Sequence, residues 1–591
     1  MKTITFYSYK GGTGRSLALA NAARYLARLG FKVVALDFDL EAPGLHYKFS
    51  TSADGGPLPV RAGVADYIQS FIVEGRVPSS LKDFTLDVRV PGVDKPLVHL
   101  IPAGDVPSRE YWLKLSRINW NDLFYSKEAK GVQVFLELKS RISDELKPDF
   151  LLIDSRTGIT EMGGVATTLL ADKVICLVLP TPENLEGARA VLRSLRRSRR
   201  ETGGGDLELT VALSRLPQLK DAEAEREITA RILSVMNEEA EDLRDTLSFS
   251  QVFILHSEAG LEVREALRVG SGMSPDESVL LRDYLRLFAN VVPTGLIEPR
   301  VGQLIRQAKE KLWEDPDAAV KEVEELAASF GHPEIYRALL RFYEVRNVSG
   351  GLVLKRAQRL WEVTGDSTDS TVWQAVSRAF EFKPRWRRGK EWFVNLDFVD
   401  AVWRDAGKRD PEFGMKLAEA YSEDERWSRA ADLLLELMNT SEANPAIVSR
   451  CIASLDAAKR VAEAEALIQR FKVVLGADPA FVETWAAHVL SGDNKDALME
   501  LATSSATEVL RTVRPSSAAQ LYFRSGLFDQ ASAIADEALE DVVIRPGSER
   551  SVAEVGQLFD VLGRWEEFEA RAGHRFPPRM IEQARARRRH K

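Results

Sequence analysis

Residues 9–16 read YKGGTGRS and stand between an apolar run, ITFYSY (4–9), and a helix-patterned run, SLALANAARYLARLG (16–30). Gly11, Gly12 and Gly14 let the backbone approach a guest closely, and the first amides of the following helix favour an anion there. The usual phosphate-loop spacing, G-x-x-x-x-G-K-[ST], requires Gly at position 9 and Lys at position 15. This chain has Tyr9 and Arg15 instead. The stretch is therefore either a phosphate loop in which Lys10 takes over the lysine's task, or an ordinary turn, and the carboxylates further along the chain decide between them.

Those carboxylates lie at the ends of further apolar runs. FKVVALDFD, LVHLIPAG, DFLLIDS, KVICLVLP, LELTVALS and QVFILHS are near-continuous and apolar, as parallel strands covered on both faces should be, with amphipathic helical stretches between most of them. Gly30 is placed to stop the first helix. The second strand ends in LDFDLEAPG, which puts Asp37 and Asp39 at the carboxyl edge of the sheet, where open α/β folds bind their ligands. A later strand ends in Asp154, followed by SRTG, in the position of a carboxylate that holds Mg²⁺ through its waters. Ser16 stands where a hydroxyl would meet that ion. With strand, loop and acids in this order, the phosphate reading is preferred to caps and turns, and Ser16, Asp37 and Asp154 are the expected metal residues.

The chain has 591 residues, 45% of them apolar and 28% charged, with a net charge of −8. That length predicts several domains, and no run of about 18 apolar residues predicts a membrane span. With no cleavable leader pattern the expectation is a cytoplasmic protein. Cys176 and Cys451 form no disulfide framework or C-x-x-C site, and His46, His99 and His256 have no zinc-ligand spacing.

After VVPTGLIEP (291–299) strand-like runs nearly vanish. Asp-Pro at 410–411, Asn-Pro at 444–445 and Asp-Pro at 478–479 recur every 34 residues, each placing a capping side chain before a Pro at the first helical position. Ala430, Ala464 and Ala531 keep a related phase, with Ala497 one residue early, and Tyr421/Trp427 recur as Tyr522/Phe528. This resembles a degenerate tetratricopeptide array. The expected organisation is a parallel-sheet P-loop NTPase domain (1–295), a helical connecting region (296–404), and all-α tetratricopeptide-like repeats with a basic tail (405–591).

KGGTGRS, LDFDLEAPG, AGVADYI, LIPAG, LLIDSRTG and ADKVICLVLPTPENLEGA, in this order, resemble the successive motifs of the deviant Walker A ATPases, the ParA/MinD superfamily. The branch with Arg in the loop, KGGVGR-like and bacterial, is the most similar. The resemblance implies an ATPase that uses ATP and Mg²⁺ and forms an ATP-dependent homodimer. It also implies a role for each matching residue. Lys10 reaches across the dimer to the partner's phosphates. Gly11, Gly12, Thr13, Gly14, Arg15, Ser16 and Leu17 form the phosphate cradle. Asp39 matches the carboxylate tied to the attacking water, and Asp154 the metal-binding acid. Ser214 and Arg215 stand where the family often has Asn for the base, which leaves adenine and guanine open. Arg15 is bulkier than an ammonium and predicts slow hydrolysis, so Lys10, Asp39 and Arg15 are the expected catalytic set.

Two functions follow: an ATP-gated dimeric switch whose helical repeats recruit a protein partner, or a scaffold that binds ATP and turns it over slowly or not at all. Three basic stretches, RSLRRSRR (193–200), KPRWRRGKEWF (383–393) and RARRRHK (585–591), read first as a solvated helix end, inter-helix packing and a disordered tail, and second as non-specific DNA contacts.

Overall fold

The computed structural model describes residues 1–49, 58–126, 130–201, 207–218, 222–238, 240, 242–263, 265–346, 348, 350–381, 387–388, 391–392, 395–407, 410–440, 444–542 and 549–589. It divides into two compact units, Met1–Asn347 and Val348–Lys591.

The first unit is built on an eight-stranded sheet of order β3-β4-β2-β5-β1-β6-β7-β8. The strands are β1 (Lys2–Tyr7), β2 (Val33–Asp37), β3 (Leu86–Val88), β4 (Val98–Ile101), β5 (Phe150–Asp154), β6 (Lys173–Val178), β7 (Glu208–Leu216) and β8 (Val252–His256). All seven apolar runs form strands, and all seven are parallel to one another. Every residue of β2, β5 and β6 is buried, which is why they read as continuous apolar runs rather than alternating ones. The eighth strand, β3, which no apolar run marks, pairs antiparallel with β4. Only three residues long, at the sheet edge, it offered a weak period-2 signal.

Helix α1 (Arg15–Arg28) follows β1 directly across the glycine loop. It ends as Gly30 predicts: Gly30 sits at φ 84 and donates to Ala27 O, while Phe31 N–H donates to Leu26 O, a Schellman closure. Asn21 ties the helix down, its Oδ1 accepting from the amides of Arg268 (2.9 Å) and Val269 (2.8 Å).

The first unit ends at Asn347, not at the expected break at 295. VVPTGLIEP leads straight into helix Thr294–Lys311, and two more helices, Pro316–Phe330 and Pro333–Arg346, belong with the sheet. The cause is packing on α1: the Tyr25 hydroxyl donates to Phe330 O (3.2 Å), the Tyr25 ring meets Phe288 and Phe330, and Arg28 donates to Ser329 Oγ.

Among the described residues of the second unit, helices follow in pairs from Pro411–Glu423 with Trp427–Thr440 to Glu549–Val561 with Trp565–Arg575, with the single helix Ala506–Val513 inserted between the third and fourth pairs. Asp410, Asn444 and Asp478 are side-chain N-caps ahead of Pro411, Pro445 and Pro479. The turns within the pairs repeat as well. Glu425, Lys459, Gly526 and Gly563 take left-handed φ of 61°, 62°, 80° and 70°. The next residue donates its N–H back five residues to Tyr421, Leu455, Tyr522 and Phe559 O respectively. Ala430, Ala464 and Ala531 are wholly buried. Where Ala497 comes early, the buried Leu498 occupies the phase. RARRRHK is mostly the end of a helix, Pro578–Arg589, rather than a loose tail, because Arg585 pairs with Glu569 and Arg588 with Asp560.

Candidate functional site

The loop joining β1 to α1 holds its shape by glycine conformations that other residues adopt at a cost. Gly12 and Gly14 lie at φ 76 and 82, and no atom stands within 4 Å of where a Cβ would be at Gly11, Gly12 or Gly14. Gly14 is the N-cap of α1 and supplies no side chain to it. Among the described residues, no amide N–H of residues 10–16 donates to a backbone carbonyl. A helix start with unpaired amides is an anion site. Thr13 is 3% exposed, and its Oγ1 and the neighbouring Ser8 Oγ have no partner.

The parallel register brings the acids to the same edge. Phe6 pairs with Asp154 and Asp37 pairs with Asp154, so the ends of β1, β5 and β2 are level. Asp37 is fully buried, its carboxylate accepting from the amides of Asp39 (3.2 Å) and Leu45 (3.1 Å). Burial, and then the adjacent Asp154, push its pKa well above the ordinary carboxylate range.

Arg15 does not line the loop with the glycines, as the cradle expectation had it. Its side chain runs inward, donating from Nε to Asp154 Oδ1 (2.5 Å) and from Nη2 to Asp39 Oδ2 (2.6 Å). Burial alone would lower the guanidinium pKa, but Asp154 and then Asp39 overcome this and raise it. Burial raises the pKa of Asp39 despite Arg15. One cation thus serves two of three acids, and both Arg15 Nη1 and Asp154 Oδ2 are buried without a partner.

Lys10 points elsewhere and pairs with Glu183 in the first turn of helix Pro182–Glu201; the side chains are 41% and 76% exposed. Beside it the Tyr9 ring packs against that helix, where a Cβ on Gly187 would stand 2.1 Å from Tyr9 Cε1. Ser16 is the half-buried second residue of α1, and Leu17 is buried beneath the loop. Ser214 and Arg215 lie within β7 rather than after it: Arg215 is the extra residue of a bulge at φ 58, exposed, while Ser214 is buried with a partnerless Oγ. The residues that hold Lys10 and Arg156, namely Glu183 and Glu41, escaped the sequence reading. So did Asn184, wholly buried with neither amide atom partnered. Glu183 and Asn184 sit in PTPEN at a helix start, the one signal available.

The loop, the partnerless polar atoms and the acids together fit a phosphate ester with a divalent cation. The glycine loop and Thr13 suit the phosphates, and Ser16 with Asp39 or Asp154 suits the metal.

Four of the five arginines of 193–200 are occupied by the protein itself, and Arg197 is exposed. Arg193 donates to Glu238 O, Arg196 to Arg244 O (2.9 Å) and Thr246 O (3.2 Å), Arg199 to Ala171 O, and Arg200 pairs with Asp245 (2.8 Å). They fasten loops to the helix. KPRWRRGKEWF lies almost wholly outside the described residues, apart from the backbone pairing of Arg387–Arg388 with Glu391–Trp392.

No family model matches the chain. An iron-sulfur cluster carrier protein of Methanococcus maripaludis is 25% identical over 187 residues, 31% of this chain, which spans half of that relative's length. Among solved structures, the cell division ATPase MinD of Pyrococcus furiosus is similar at 18% identity, covering 49% of this chain and 98% of its own, with a TM-score of 0.33. The septum site-determining protein MinD of Pyrococcus horikoshii, complexed with Mg-ADP, gives 18%, 49%, 95% and 0.33. No helix among the described residues is long and apolar enough to cross a membrane.

Proposed function

We propose that the first unit binds ATP with Mg²⁺ as a ParA/MinD-type ATPase, closes into a dimer around it, and passes the change to a protein partner held by the helical pairs of residues 405–591. One observation carries this reading. A loop with left-handed glycines and unpaired amides opens the same sheet edge at which Asp37, Asp39 and Asp154 converge.

In this reading the amides of residues 10–16 and the Thr13 hydroxyl hold the phosphates, and Ser16 with Asp39 and Asp154 holds Mg²⁺, which supplies charge neutralisation at the transferring phosphoryl group. Asp39 orients the attacking water. The surface pair Lys10–Glu183 costs little to open, on the order of 1 kcal/mol or less, so Lys10 is available to a second copy. Ser214, at the end of β7, lies on the base side. A role in carrying iron-sulfur clusters is not transferred from the relative, because both cysteines, Cys176 and Cys451, are buried.

The test is static light scattering with ATP, ADP and no nucleotide, together with phosphate release. Wild type should dimerise with ATP and Mg²⁺, and Lys10→Ala should bind ATP as a monomer. Wild type that stays monomeric with ATP, or Lys10→Ala that dimerises equally well, overturns the gated dimer. A second reading is favoured by Arg15, which is engaged by two acids rather than aimed at a phosphate: a scaffold that binds ATP and turns it over slowly or not at all. Phosphate release no faster than that of Lys10→Ala selects it.

A further inference from the structure

Arg15 stands between two ligand classes at once. It is the first residue of α1, one peptide from the loop, yet its guanidinium is spent on Asp39 and Asp154. Those are the side chains that a divalent cation would need, since such an ion takes one or two carboxylates plus phosphate oxygens. The arrangement is incomplete as an ion pair. Arg15 Nη1 and Asp154 Oδ2 are buried with no partner, and buried polar groups are rarely left so unless a ligand completes them. The third acid is already engaged, because Asp37 accepts two amide hydrogens. The other cation near the cluster, Lys48, pairs outward with Glu265.

We propose that Arg15 is the built-in counter-ion of a divalent-cation site formed by Asp39 and Asp154, which the metal enters only when nucleotide phosphates draw the guanidinium out into the loop. This rests on the reading of the loop as a phosphate site. Charge drives the exchange. Two carboxylates and one guanidinium leave one negative charge, whereas a divalent ion neutralises the pair and frees the guanidinium, whose planar fork suits phosphate oxygens. Metal and nucleotide therefore bind together, each weakly without the other.

Mn²⁺ binding followed by electron paramagnetic resonance tests this without relying on catalysis. Wild type should bind Mn²⁺ weakly alone and about 100-fold more tightly with ADP present, the scale expected when a buried pair no longer has to be broken. Arg15→Gln should bind Mn²⁺ tightly with no nucleotide, and Arg15→Gln combined with Asp39→Asn should lose that gain. Should Arg15→Gln misfold by circular dichroism, Arg15→Lys serves, since one ammonium reaches fewer oxygens than the fork; it should bind Mn²⁺ alone with intermediate affinity. Wild type that binds ADP yet binds Mn²⁺ equally with and without it overturns the proposal, as does an Arg15 variant with no gain. If ADP fails to bind at all while Arg15→Gln gains Mn²⁺, the nucleotide reading falls and the competition between Arg15 and metal stands.

Discussion

Both units use an arginine that grips two carboxylates, and the two pairs are chemically alike. In the first unit Arg15 bridges Asp39 and Asp154, with the three side chains 7%, 10% and 1% exposed. In the second, Arg460 holds Asp432 (2.6 Å) and Glu463 (2.7 Å), with the three 25%, 55% and 50% exposed. Distances scarcely separate them; water does. An exposed pair exchanges one good solvation for another, whereas a buried one has already lost its water and depends on its partners. The first arrangement can act as a switch, since removing any partner exposes a large penalty that a ligand can relieve. The second sets the register of a repeat.

The largest expected effect follows from the buried triad. Arg15→Ala leaves two carboxylates buried without a cation and should destabilise the first unit by about 3–5 kcal/mol, read as a lowered urea midpoint. Destabilisation below about 1 kcal/mol, the range of a surface pair, would erase the contrast with Arg460.

Much of this architecture was readable beforehand, and the exceptions share a cause. Strands buried on both faces announce themselves as apolar runs, and caps such as Asp410-Pro411 are local, so the seven strands and the 34-residue period were visible. The acids at the strand ends were visible for the same reason. Arg15's direction was not, because it depends on Asp154, 139 positions away. Helices 294–346 read as part of a connecting region because the apolar face that claims them, Tyr25 and Phe288, lies on other elements. The arginines of 193–200 resembled a free patch because their partners are backbone carbonyls such as Arg244 O and Thr246 O, which no residue type reveals.

The next effect belongs to the array. Ala464 is fully buried, and Ala464→Trp should overpack it at a cost of about 1–3 kcal/mol. The loss should appear in the melting of the second unit and leave nucleotide affinity in the first unchanged. An unaltered melting profile would mean that the 34-residue phase does not mark the tight contacts.

A third, smaller effect sits beside β8. The protonated His256 donates from Nδ1 to Asp283 (2.8 Å) and from Nε2 to Glu225 (3.1 Å). Burial alone would lower its pKa, but the hydrogen bonds to Asp283 and then Glu225 outweigh this and raise it from 6.5 to about 9. A raised folded pKa means stability that is complete below 6.5 and lost as pH climbs through about 9. Discounted for the partly exposed Glu225, the loss is about 1–2 kcal/mol. Urea midpoints of the first unit near pH 6 and pH 9.5 should show this fall in wild type and a flatter profile in His256→Gln. Equal slopes would place the stabilising charge elsewhere.

The smallest effect completes the contrast between the two arginines. Arg460→Ala removes more side-chain hydrogen bonds than Arg15→Ala, four against two. A ledger that counts contacts therefore predicts the larger loss at Arg460. The solvent argument predicts the reverse, because Asp432 and Glu463 regain water when the guanidinium leaves, and the cost should be about 0.2–1 kcal/mol. The turn itself survives, since its Schellman closure, Arg460 N–H to Leu455 O at 2.8 Å, is made by the backbone. Raising the salt concentration separates the cases further, as screening weakens the exposed pair and hardly reaches the buried one. Urea titrations of both variants at low and high salt are the measurement. A loss at Arg460 equal to that at Arg15, or one insensitive to salt, would show that burial does not govern the difference between the two units.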